Sequence, residues 1–145
     1  MNNKSLPVLI VDDNEDDRYL LKRQLKKTEL NISFFEAADG AEALKYFEEY
    51  NSSKEKYGDD FPPILIFLDI NMPFVDGFKF LEEFEKIQNA QKDYECCVVM
   101  MYSSSARNED RNKTKSYSFV KDYLVKGEFS AEDLKEKIKS LVPQG

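Results

Sequence analysis

The stretch IFLDINMPFVDG, Ile66 to Gly77, ends a run of large apolar residues on a charge. Ile64 to Leu68 reads as a buried strand, yet Asp69 follows at once, then Pro73 and the pair Asp76-Gly77. A strand that finishes this way either opens an ordinary polar loop or delivers a carboxylate to a site. The rest of the chain decides between the two.

The same ending recurs along the sequence. Val8–Val11 runs into Asp12-Asp13, Val98–Tyr102 into Ser103-Ser104-Ser105, and Asp122–Val125 into Lys126. Ile32–Phe35 is a further strand candidate. Between the strands lie helix candidates over Glu15–Lys27, Ala41–Tyr50, Gly77–Gln88, Asn108–Tyr117 and Ala131–Leu141. Strand and helix alternate five times, which predicts a parallel sheet with right-handed crossovers. Central strands covered on both faces read as continuous apolar runs, as these do. Asn14 is placed to cap the first helix, and Ser130 with Asp133 to form a variant capping box on the last. Leu81, Phe84 and Ile87, and likewise Leu134, Ile138 and Leu141, form core stripes at helical spacing. The polar stretch NSSKEKYGDDFPP, Asn51 to Pro63, reads as an extended loop, and NAQKDYE as a second polar connection.

Composition narrows the function classes. A chain of 145 residues with 41% hydrophobic content is expected to form one domain, spanning 1–145 with its core about 8–141. With 28 acidic against 21 basic residues and a net charge of −7, it is a poor match for nucleic acid phosphates. The absence of histidine excludes imidazole catalysis and His-ligated metal sites. The adjacent Cys96 and Cys97 would form a strained disulfide and suit a reducing cytosol. No apolar run approaches the ~20 residues needed to cross a bilayer. The reading is a cytoplasmic protein with no membrane or nucleic acid partner.

In open parallel sheets, function collects at the carboxyl ends of the strands. Asp12, Asp13, Asp69, Ser103 and Lys126 are therefore expected on one rim. Three carboxylates there repel one another unless a cation joins them. Oxygen-only donors favour a hard ion, Mg2+ or Mn2+. A lysine and a hydroxyl on the same rim suit a phosphoryl group, and an aspartate can be the nucleophile that receives it. Taken singly, each residue has a plainer reading: a polar strand end, a turn, a solvated lysine. Their joint position at the strand ends points to phosphoryl transfer onto a carboxylate.

At these residues the chain resembles a response-regulator receiver domain of two-component signalling. VLIVDDNEDDR resembles the family's first strand and acidic pair, and FLDINMPFVDG the signature around its phosphorylated aspartate. VVMMYSSS and DYLVKG resemble its fourth and fifth strands. The resemblance covers roughly Val8 to Leu141. It implies an α/β, flavodoxin-like (βα)5 sandwich with sheet order 2-1-3-4-5. It implies Asp69 as phosphoacceptor, and Asp12, Asp13, Asp69 and the backbone carbonyl of Asn71 as Mg2+ ligands. Ser103, rather than Tyr102, and Lys126 would contact phosphoryl oxygens. Ser103 and Tyr123 would form the switch, and Asn71 and Ser105 would tune the lifetime of the phosphoryl group, expected to be minutes. The family usually has Lys-Pro where this chain has Lys126-Gly127. A cis bond to a non-proline residue costs about 2.5–4 kcal/mol, so either a trans bond with a rebuilt loop or a retained cis bond is expected.

The implied function is that of a stand-alone response regulator without an output domain, catalysing only its own phosphorylation and dephosphorylation. Its partners would be a sensor histidine kinase, of the phytochrome-like kind if the Asn51–Pro63 insertion is a guide, and a downstream protein. The alternative is a phosphorelay intermediate that passes the group to a histidine phosphotransfer protein. An aspartate-nucleophile phosphatase would need a second acid two residues after Asp69, where Asn71 stands. A pseudo-receiver is at odds with the intact acidic set.

Overall fold

The computed structural model describes residues 5–58, 62–72, 75–104 and 107–141. The apolar runs become strands Leu6–Val11 (β1), Ile32–Ala37 (β2), Leu65–Leu68 (β3), Val98–Ser103 (β4) and Val120–Val125 (β5). All pair in parallel, in the order β2-β1-β3-β4-β5 expected for the flavodoxin-like sandwich. The helices are Glu15–Lys27 (α1), Gly40–Glu48 (α2), Tyr50–Tyr57 (α3), Gly77–Ala90 (α4), Asn108–Lys115 (α5) and Ala131–Leu141 (α6).

Strand alternation splits the core into two layers. Leu9, Val11, Ile66, Leu68 and Met101 face a cluster with Phe47 of α2 and Phe80, Leu81 and Phe84 of α4. Val8, Ile10, Leu65, Phe67 and Met100 face Leu21 and Leu25 of α1 and Leu134 and Ile138 of α6. The caps form as their sequences predict. Asn14 accepts from Asp17 N at 3.0 Å, and Ser130 and Asp133 exchange backbone-to-side-chain bonds at 3.1 Å.

The register levels the rim. Val11 pairs with Leu68, and Leu68 with Met101, so Asp12 and Asp69 leave the sheet side by side. The β4–β5 pairing slips between Val99 and Met100, where Val120 and Asp122 are the partners and Lys121 is passed over. That irregularity sits on an edge strand, a common place for a bulge.

Several connections differ from the sequence reading. Much of the expected loop Asn51–Pro63 is the helix α3. Glu49, at φ −104° and ψ 57°, breaks the helical course after α2, and the chain then re-enters a helix. Buried Ser53 donates its hydroxyl to Tyr46 O at 2.8 Å, and Lys54 Nζ donates to Gly58 O at 2.9 Å, where φ is +61°. Such polar anchoring leaves no apolar stripe for periodicity to detect. The stretch NAQKDYE extends α4 to Ala90 and adds a 3-10 turn, Lys92–Tyr94. Tyr94 is fully buried there, its hydroxyl donating to Phe47 O at 2.7 Å. β5 begins at Val120 rather than Asp122, and Cys96 and Cys97 precede β4. Lys137 is half-buried against Asp122 at 2.5 Å.

Candidate functional site

β1 and β3 deliver the carboxylates. Asp12 continues the ladder by donating N–H to Ala37 O at 3.1 Å, and Asp69 does the same to Val11 O at 2.9 Å. Both are buried, at 0% and 5% exposure, while Asp13 is exposed. Asp12, Asp13 and Asp69 each bring a carboxylate oxygen within 4.8 Å of the others. Asp12 Oδ1 accepts from Asn14 N at 2.9 Å, and Asp69 Oδ1 from Ile70 N at 2.8 Å. One oxygen of each is thus fixed by backbone.

Gly77 explains how α4 can begin beneath this rim. A Cβ there would lie 2.5 Å from Asp69 O and 2.7 Å from Ile70 Cα. The close approach lets Gly77 N donate to Ile70 O at 2.8 Å, while Asp76 caps the helix by accepting from Lys79 N at 2.9 Å. Gly77 is required for space, not for an unusual φ.

Lys126 reaches in from the turn after β5. Its Nζ lies 2.7 Å from Asp12 Oδ2, 2.8 Å from Asp17 Oδ2 and 3.5 Å from Asp69 Oδ2. The turn Val125–Glu128 closes through Glu128 N on Val125 O at 3.0 Å, with Gly127 at φ +80°, the value a type II turn needs at its third residue. Lys126 N donates to Ser103 O at 2.8 Å, which ties this turn to the end of β4. Ser103 itself is fully buried there. Tyr102 faces the other layer, its ring 5.8 Å from that of Phe129, and burial pushes its hydroxyl up to about 12.

The electrostatics are those of a site short of positive charge. Burial and the Asp12 charge raise the Asp69 carboxyl to about 6, against the pull of Lys126. Burial works against the Lys126 ammonium, but its hydrogen bonds to Asp12 and Asp17 prevail and raise it. An all-oxygen donor set of three aspartates fits Mg2+ or Mn2+.

The structure thus brings Asp12, Asp13, Asp69 and Lys126 together. Asn71 is exposed two residues beyond Asp69, and Ser105 lies outside the described residues. Tyr123 is half-buried on β5, packed against the Phe84 layer with the Arg111 guanidinium 4.9 Å from its ring. Sequence reading missed two participants. Asp17 was legible only as a first-turn helix charge, although side chains there lean back toward the helix N-terminus and so toward the rim. Arg18 donates to Asp12 O at 2.6 Å and to Glu36 at 3.1 Å, and no local signal marked it.

Comparison with known proteins identifies the family and the fold. The family profile of the response regulator receiver domain matches residues 8–139. The chemotaxis protein CheV3 of Helicobacter pylori is 34% identical over 137 residues, 93% of this chain and 40% of that protein. The chain spans less than half the length of the curated relatives it matches. Among solved structures, the bacteriophytochrome response regulator AtBRR superposes with a TM-score of 0.72 at 29% identity, covering 95% of this chain and 93% of that one. The Thermotoga maritima response regulator TrrA, solved in complex with Mg2+ and BeF, gives 0.66 at 27% identity, covering 93% and 97%. No described helix is long and apolar enough to cross a membrane.

Proposed function

The chain belongs to the response regulator receiver-domain family, and from that membership we propose that Asp69 accepts a phosphoryl group from the phosphohistidine of a sensor histidine kinase. The observation that carries this reading is a buried aspartate whose second oxygen faces a lysine, grouped with two further carboxylates at the carboxyl rim of the sheet. Asp69 attacks phosphorus through that oxygen, a P–O bond forms, and the P–N bond to the donor histidine breaks. Lys126 places positive charge beside the transferring group, and the Ser103 hydroxyl donates to another of its oxygens. Asp12, Asp13, Asp69 and the Asn71 carbonyl would hold a Mg2+, which when bound offsets the carboxylate charge and that of the phosphoryl oxygens. The chain acts on itself alone in this scheme, and Asn71, two residues beyond the acceptor, tunes the lifetime of the phosphorylated state. The likeness to a bacteriophytochrome response regulator favours a phytochrome-type kinase as donor.

Acetyl phosphate with Mg2+ should add one phosphoryl group, read by intact mass. EDTA should prevent the addition, and Asp69→Asn should abolish it. Equal labelling of the Asn variant would sink the assignment. Incubating the phosphorylated protein with histidine phosphotransfer proteins tests whether the group is passed on.

A further inference from the structure

Asp17 stands in the first turn of α1, and nothing in the reaction scheme above uses it. Yet its Oδ2 lies 2.8 Å from Lys126 Nζ, close to the 2.7 Å of Asp12 and nearer by 0.7 Å than that of Asp69 at 3.5 Å. The turn that carries the lysine offers little to steer it. Gly127 has left-handed backbone, and a Cβ built on it meets nothing within 4 Å. The ring of Tyr102 stands off at 5.2 Å from Nζ. The lysine nitrogen is therefore located chiefly by carboxylates. Asp12 shares its carboxylate with the candidate metal cluster, and Asp69 is the acceptor. Asp17 alone among the three is free of a second role at the rim. It is itself well held: its N–H donates to Asn14 Oδ1 at 3.0 Å, which fixes the first turn of the helix.

We infer that Asp17 is the positioning residue for Lys126, anchoring the ammonium to α1 so that it stands beside Asp69 before a phosphoryl group arrives. The inference rests on the receiver reading of the site. An untethered lysine loses rotamer freedom when it captures a phosphoryl oxygen, whereas a tethered one has lost it already. The tether is made by a helix rather than by the lysine's own turn, so the open Gly127 turn is compatible with a placed lysine.

Asp17→Asn keeps the size of the side chain and removes its charge. Simple electrostatics and the tether predict opposite signs. Taking one negative charge from an acidic rim should tighten binding of an anion. Losing the tether should weaken it. We expect calorimetry with Mg2+ and beryllofluoride to show weakening of roughly three- to tenfold, the net effect of one ordinary hydrogen bond. Asp17→Glu should recover part of the loss, and in a Lys126→Gln background, where only the electrostatic effect remains, Asp17→Asn should no longer weaken binding. In the metal-free protein, the Lys126 ammonium should give a hydrogen-bonded 15N signal that Asp17→Asn shifts and broadens by faster exchange with water, Asp12 being the partner that is left. Tightened or unchanged binding overturns the inference, as does an equal loss in the Lys126→Gln background or an ammonium signal that the substitution leaves unaltered. If the wild-type protein takes up no beryllofluoride, the receiver reading itself fails, and the ammonium signal still tests the tether.

Discussion

Asp69 has a carboxyl that burial and Asp12 raise from 3.8 to about 6. The folded protein holds that proton more tightly than the unfolded chain does. This contribution to stability is complete below the unfolded value of about 4 and is lost as pH rises through about 6. In EDTA, the unfolding free energy should fall over that window. Asp69→Asn should remove the fall and stabilise the metal-free protein at pH 7.5 by on the order of 2 kcal/mol. Urea melts at pH 5 and pH 7.5 measure both effects, and an Asn variant no more stable than wild type at pH 7.5 contradicts the account. The rim is thus less stable than the sheet beneath it requires, as expected where charge is gathered for chemistry.

Two close contacts, one at the rim and one away from it, hold the helices to the sheet. The first is the approach of α4 to the β3 loop. Gly77→Ala must move either the helix start or the Asp69–Ile70 backbone, because the added methyl meets main chain at 2.5 and 2.7 Å. The expected cost is about 1–3 kcal/mol with slower phosphorylation, checked by urea melts and acetyl phosphate labelling; an unchanged midpoint would mean the loop has slack. The second is Tyr94, which the polar stretch before β4 conceals. Its hydroxyl donates to Phe47 O, and its ring meets that of Phe47 edge-on at 5.1 Å. Tyr94→Phe should cost about 1 kcal/mol and leave phosphorylation intact, since this contact joins α2 to the far end of the molecule from the rim.

At the scale of the molecule, the question is how a charge added at Asp69 reaches a partner. Ser103 ends β4, its carbonyl accepts from Lys126, and β5 carries Tyr123 under Arg111 of α5. A phosphoryl group that draws the Ser103 hydroxyl toward it should alter the loop after β4 and allow Tyr123 to turn inward. The phosphorylated state need only be favoured, since a preference of about 5.5 kcal/mol carries a 1:99 mixture to 99:1. Ser103→Ala should leave labelling partly intact and weaken the response. Tyr123→Ala should leave labelling near normal and change partner affinity. Amide exchange over α5 should change on adding Mg2+ and beryllofluoride, and identical exchange at saturation would rule out this route.

The alternation of strands and helices and the acidic rim were legible because each depends on local pattern, whereas the sheet order was implied only by the resemblance to the receiver family. Apolar runs of strand length alternate with helical stripes, and each run ends on the residue the rim displays: Asp12, Asp69, Ser103, Lys126. The helix α3 and the buried Tyr94 were not legible, because polar anchors such as Ser53 on Tyr46 O leave no periodic apolar trace. Asp17 read only as a first-turn helix charge, and no local signal marked Arg18. What the sequence determined by itself is which groups stand at the strand ends, since strand period and length are properties of neighbouring residues. Only the tertiary structure decided which carboxylates hold Lys126, because that depends on how α1 lies across the rim, a matter of packing between residues more than a hundred positions apart.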